Sequence, residues 1–222
     1  GVWLFDEGAG KIVKDTSDNG YDGEIVGKVK WSNGKFGSAL EFDGGHVKIP
    51  HQDGMDLLEF TITAWIKVPG VVDPYQMIVG KEAWPDRNYA MWIRPGVMTF
   101  GFTLPGAAQD IQVGSKEVTD GQWHFVAGTY NQKSLTPYVD GEQINPRGAA
   151  GKPATNKAPF MIGAQPPNGG GPLKGIIDEV AVYDTALDKK EIESIMEGLA
   201  EKFHAVDPSR KLATTWAKLK IN

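Results

Sequence analysis

The 222-residue sequence contains no cysteine, which removes disulfides, thiolate metal sites and thiol nucleophiles together. It leaves the compartment open, because exported β-domains often dispense with cysteine. No block of Lys or Arg is longer than two residues, and the carboxylates behind the formal charge of −5 are scattered along the chain. Nothing forms the basic stripe that neutralises phosphates, so nucleic acid and anionic membrane surfaces are poor partners. No apolar run approaches a membrane span. The chain opens at Gly1-Val2-Trp3 inside a strand-like run, as a mature or trimmed fragment would, with any export signal missing.

Catalytic signatures are equally scarce. There is no Gly-x-Ser-x-Gly elbow, no cysteine nucleophile and no Gly-x-x-x-x-Gly-Lys phosphate loop, and Gly169-Gly170-Gly171 lacks a following helix. Retaining glycosidases need two carboxylates about 5 Å apart, which a strand supplies at same-face even spacing. No Glu-x-Asp-x-x-Glu string occurs; Asp56 and Glu59 are three apart, and Asp178 and Glu179 are adjacent. Glu41 and Asp43 have the spacing but lead into a Gly-Gly turn. His124, beside Trp123, reads as an exposed or wall histidine rather than a base.

What the chain does have is turn chemistry and alternation. Its 28 glycines and 14 prolines separate short apolar runs, the pattern of an all-β protein. In 60–68, Phe60, Ile62, Ala64 and Ile66 share one face while Thr61, Thr63, Trp65 and Lys67 share the other, a half-buried strand. Trp123, Phe125 and Ala127 alternate likewise. Further strands are expected at 39–49, 76–81, 88–94, 97–103, 135–139, 159–163 and 175–183, enough for two stacked antiparallel sheets. Asp140-Gly141 marks a two-residue hairpin, and 145–175 is loop-rich around one strand. One segment has a helical period: Asp188 and Glu191 make a capping-box start, followed by Ile192, Ile195, Met196, Leu199 and Phe203. The domain is expected to span 1–198, with 199–222 the end of this helix and a linker or docking tail.

Read in order, the blocks at 3–10, 15–17 and 34–44 resemble the opening of bacterial LamG-like jelly-roll domains. Those at 60–65, 120–124, 138–141 and 175–180, continuing through Leu187 and Glu191-Ile192, complete the pattern. The resemblance, to a family of the concanavalin A-like lectin/glucanase superfamily, implies an all-β, two-sheet antiparallel jelly roll. It also implies a curved concave face and, frequently, one structural calcium ion near the rim where the first and last strands meet. It does not imply a single activity, since the fold hosts lectins, adhesion domains and glycosidases.

Two sites are therefore expected from the residues. Calcium takes six to eight oxygens, and a sandwich-rim site mixes carboxylates with carbonyls of a glycine-rich bend. Asp6, Asp43 with Gly44, and Asp178 supply these. Strict alternation puts Asp178 in phase with Ile176, Val180 and Val182, where an isolated charge would be costly. The competing role for such aspartates is turn capping, as expected of Asp15 and Asp18. For ligand recognition, Tyr75, Trp84, Arg87, Tyr89 and Trp92 cluster in sequence, and aromatic planes beside polar side chains suit sugar rings. Trp3, Trp65 and Trp123 fall in blocks the fold itself requires and read as packing. The sequence thus points to a non-catalytic, calcium-stabilised carbohydrate-binding or lectin-like module, secreted or on a cell surface, its partner a glycan or, alternatively, a cell-surface protein. A hydrolase is the least favoured alternative.

Overall fold

The computed structural model describes residues 1–70, 75–107 and 109–199. Seventeen strands appear among them: β1 (Val2–Trp3), β2 (Ile12–Val13), β3 (Gly23–Val26), β4 (Val29–Asn33), β5 (Ser38–Asp43), β6 (His46–Ile49), β7 (Phe60–Pro69), β8 (Gln76–Ala83) and β9 (Asp86–Ile93) come first. They are followed by β10 (Val97–Phe102), β11 (Ile111–Glu117), β12 (Asp120–Tyr130), β13 (Ser134–Val139), β14 (Glu142–Gln143), β15 (Arg147–Gly148), β16 (Phe160–Ile162) and β17 (Lys174–Tyr183). Helix α1 spans Lys189–Met196. The first sheet runs β14-β13-β12-β7-β17-β5-β4, with β1 on β17 and β15 on β13; the second runs β11-β10-β9-β8-β16-β6-β3-β2. Every strand pair is antiparallel, so the two-sheet sandwich expected from the alternation is the fold. The short, polar strands β2, β3, β4, β11, β14 and β15 were not marked by apolar periodicity.

Between the sheets lies one large apolar core. Phe60, Ile62, Ala64 and Ile66 of β7 enter it, opposed by Tyr89, Met91 and Ile93 of β9 and Phe100 of β10. Gly128 of β12 has no side chain for a steric reason: a Cβ there would stand 2.6 Å from the Phe100 ring. The Asp140-Gly141 hairpin forms as expected, with φ of 53° and 78° at its two positions, the left-handed pair a tight two-residue turn demands.

The other face of β7 corrects the half-buried reading. Trp65 joins Phe125, Ala127, Tyr138, Ile192, Ile195 and Leu199 in a second apolar cluster, because α1 folds across the outer face of the first sheet. Its start is the capping box read from the sequence: Asp188 accepts from the Glu191 N–H at 3.0 Å, and Glu191 accepts from the Asp188 N–H at 2.7 Å. The helix is shorter than its periodicity, ending at Met196. Phe203 and the tail beyond it lie outside the described residues, and Trp123 is only partly buried at this cluster's edge.

Candidate functional site

Among the described residues, the outer face of the second sheet has no such apolar cover. Register places Trp92 beside Thr99 and Met77, and Ala90 beside Gly101 and Gly80, all pointing away from the core. Met77, Ala90 and Trp92 form a small apolar patch against Tyr75, whose ring lies 6.2 Å from that of Trp92. A loop after β16 folds over one end of it, with the Met77 N–H donating to Gly171 C=O at 2.8 Å and the Gln165 N–H to Gly170 C=O at 2.7 Å.

Arg87 is the centre of this face. The pairing of β8 with β9 slips between Lys81 and Glu82, and this bulge turns Glu82 and Arg87 outward together. The Arg87 guanidinium stacks 4.4 Å above Trp92 and 5.9 Å from Trp84. It donates through Nε to Glu82 Oε2, and its Nη1 forms an ion pair with Asp110 Oδ2 at 2.6 Å. Gln165 Nε2 donates to the other Glu82 oxygen. Burial alone would discourage the Arg87 charge, but Glu82, Tyr75 and Asp110 outweigh it and hold the guanidinium protonated. Burial raises the Asp110 carboxyl above the ordinary range, with Arg87 opposing.

Trp84 sits in the two-residue turn between β8 and β9 and is 57% exposed. A large ring left in water beside a stacked guanidinium is a ready platform for another flat or C–H-bearing surface. Among the described residues, Trp92 Nε1 and Asp110 Oδ1, on the two residues that touch Arg87, and Gln112 Oε1 on β11 are buried without hydrogen-bond partners. Buried polar groups are normally satisfied, so one donor and two acceptors stand ready for a partner that offers both.

Of the five ligand residues expected from the sequence, Tyr75, Trp84, Arg87 and Trp92 thus share one face. Tyr89 does not: it is 0% exposed and packs into the intersheet core against Phe60, 5.3 Å between ring centroids. The bulge explains the error, since it shifts Tyr89 out of phase with Arg87. Glu82, Asp110 and Gln165 were not found from the sequence. Glu82 and Arg87, five apart across a Trp-Pro turn, were the available signal.

The expected calcium ligands separate as well. Lys174 pairs with Asp43 and Ile177 with Leu40, so Asp178 falls about 13 Å along the strands from Asp43. Asp43 and Gly44 therefore belong to a different end of the sandwich, where Asp43 faces Lys174 at 3.8 Å. Asp6 and Asp178 do converge, on the loop 34–38: Ser38 N–H donates to Asp6 Oδ1 at 3.1 Å and Phe36 N–H to Asp178 Oδ2 at 3.0 Å. The phase assigned to Asp178 also changes. Its pairing with β7 slips between Asp178 and Ala181, and Glu179 has a φ of 46°. Ile177 and Val180 then fill the core, while Ile176 faces outward.

Asp178 is nonetheless 0% exposed, its Oδ1 has no hydrogen-bond partner among the described residues, and burial pushes its carboxyl up to about 7. Asp178 Oδ2 and the carbonyl oxygens of Phe36 and Ser38 converge within 2.7 Å of where a Cβ on Gly34 would stand, an oxygen-lined cradle that suits a hard cation. No group of three or more His, Cys, Asp or Glu side chains suited to a metal forms among the described residues. Asp15 acts as a cap instead, accepting from the N–H groups of Val2, Ser17 and Tyr21.

Comparison with known proteins agrees with this architecture. A laminin G-type family model, described as concanavalin A-like lectin/glucanases superfamily, matches residues 42–193. Among solved structures, the binding domain of Paraclostridial Mosquitocidal Protein 1 is similar, with a TM-score of 0.73 and 16% identity over 87% of this chain and 50% of that one. Domain 4 of AbnA, a GH43 extracellular arabinanase from Geobacillus stearothermophilus solved with arabinotriose, gives 0.65 and 20% identity over 87% and 96%. A botulinum neurotoxin type C structure, described as dependent on two ganglioside molecules for cell entry, gives 0.69 and 15% over 88% and 50%. The chain spans about half the length of the toxin chains it matches. A search of curated protein sequences returns no match. With the family model covering well over half of its residues, the chain belongs to the concanavalin A-like lectin/glucanases superfamily.

Proposed function

We propose that this chain is a non-catalytic carbohydrate-binding module of an exported protein, and that the sugar rests on the Arg87-centred face of the second sheet. The observation that carries this reading is the exposed Trp84 ring beside a guanidinium stacked on Trp92, with Trp92 Nε1 and Asp110 Oδ1 lacking hydrogen-bond partners among the described residues. A sugar offers a C–H face to the ring and hydroxyls that both donate and accept. An apolar protein partner would leave those polar atoms unpaired, at a cost of about 1–3 kcal/mol each. Similar folds include an arabinanase domain solved with arabinotriose and a toxin described with gangliosides, which support a glycan, and a botulinum neurotoxin DC binding domain in complex with rat synaptotagmin II, which supports a cell-surface protein as the second reading. Among the described residues no helix is long and apolar enough to cross a membrane.

The carboxylates of the face argue against hydrolysis. Glu82 has both oxygens engaged, by Arg87 and Gln165, which leaves it no free oxygen with which to attack. Calcium enters as a structural element, held by Asp178, Asp6 and the carbonyls of loop 34–38. There it would neutralise the buried Asp178 carboxylate.

A glycan array of neutral and sialylated oligosaccharides, run with and without chelator, tests the reading. Binding to at least one class, weakened tenfold or more by Trp84→Ala or Asp110→Asn, is expected. Absence of any glycan binding, or binding untouched by both substitutions, would favour a protein adhesion module.

A further inference from the structure

A depression of about 500 Å³ opens on the opposite side of the molecule, on the outer face of the first sheet beyond the helix-covered cluster. Cross-strand register builds it. Lys30 of β4 stands opposite Glu41, Glu41 opposite Ile176, and Ile176 opposite Lys67. A second row carries Asp43 opposite Lys174, with Lys28 and Pro69 alongside. Four lysines thus face two carboxylates on a chain whose net charge is −5. Lys30 pairs with Glu41 at 3.2 Å and Lys174 with Asp43 at 3.8 Å. Among the described residues, Lys28 and Lys67 have no carboxylate within ion-pair reach.

We propose that this groove binds an acidic polysaccharide, one whose rings carry carboxylate or sulfate. Lys28 and Lys67 meet the anionic substituents, the half-buried Ile176 supplies an apolar floor for the C–H face of a ring, and Glu41 and Asp43 accept from hydroxyls. The two existing ion pairs are exposed and therefore worth little, so a ligand rearranges them at small cost. A recessed floor and two carboxylates disfavour a planar anionic membrane, which needs a protruding basic surface. The same carboxylates repel an acidic peptide that lacks hydroxyls to offer them. The row from Lys30 to Lys67 crosses four strands, about 14 Å, room for more than one ring. This site is independent of the Arg87 face and lies on the other sheet.

Calorimetric titration of the full chain at low ionic strength with oligogalacturonate and with chondroitin sulfate tests it. Binding of at least one is expected, weakening as salt is raised. The Lys28→Ala/Lys67→Ala double variant should lose about tenfold or more in affinity with its melting temperature unmoved, since both side chains project from the sheet. Methyl-esterified oligogalacturonate should bind far more weakly than the acid, and Trp84→Ala should bind both polyanions like wild type. Binding of neither polyanion, or equal affinity in the double variant, overturns the proposal. So does polyglutamate, or a phosphatidylserine vesicle, binding as tightly as the polysaccharides with the same dependence on Lys28 and Lys67.

Discussion

The outer faces of the two sheets present the same problem and solve it differently. Both carry tryptophans. On the first sheet Trp65 is sealed by Phe36, Phe125 and the helix, with Lys35 above its ring at 4.4 Å. On the second, Trp92 is covered by a guanidinium, and its neighbour Trp84 is left in water. An apolar face covered by the chain's own helix has its partner already. A face closed by a charged network, with a large ring left exposed beside it, is organised for a partner from outside. Residue type alone does not make this distinction; what lies over the ring does.

The comparison breaks first if the sealed tryptophan proves dispensable. Trp65→Ala should cost roughly 3–5 kcal/mol in denaturant unfolding, the range for deleting a buried aromatic. A loss below about 1 kcal/mol would mean that α1 contributes little to the sandwich.

Arg87→Met tests the charged cover at similar magnitude. It leaves the fully buried Glu82 unpaired, and breaking a buried pair costs about 3–5 kcal/mol. The double variant Arg87→Met/Glu82→Met should recover much of that loss. Failure to recover would show that Arg87 acts through its packing on Trp92 rather than through its charge.

Asp178 gives a pH signature. Its folded-state value, about 7, stands above the 3.8 of an unperturbed carboxyl, so between those values the folded chain keeps a proton that the unfolded chain releases. Stability from this residue is therefore present below pH 4, falls as pH rises toward 7 and is level above. Asp178→Asn should abolish that component, gaining on wild type as pH rises. Calcium should restore the wild type at pH 8 and leave the variant unchanged. Equal melting temperatures with and without calcium in the wild type would remove the metal from the account.

Much of this was legible in the sequence because alternation is a local property. β7, β12, the Asp140-Gly141 hairpin and the capping box at Asp188 follow from neighbours in the chain. What alternation could not show was where it breaks. One slip beside Glu82 put Tyr89 in the core and Arg87 outside; another beside Glu179 moved Ile176 from core to surface. Asp43 failed for a different reason, since only the register of β5 against β17 reveals how far it lies from Asp178. The lysine groove is a long-range feature too: residues 28, 30, 67 and 174 meet only across the strands.

The smallest stability effect belongs to Trp84. Trp84→Ala should change unfolding free energy by less than about 0.5–1 kcal/mol, as exposed substitutions do, while any glycan affinity falls tenfold or more. A large stability loss would mean that the turn packs inward in solution.

The central claim, that the second sheet's outer face is the glycan face, is tested most directly by the tryptophan indole N–H resonances. The chain has seven tryptophans, and each indole reports its own surroundings in a two-dimensional NMR spectrum. Titrating in the best glycan from the array should move the Trp84 and Trp92 signals together and leave those of Trp3 and Trp65 in place. Shifts confined to Trp65 and Trp123, with Trp84 and Trp92 unmoved, would put the ligand on the other sheet and contradict the account.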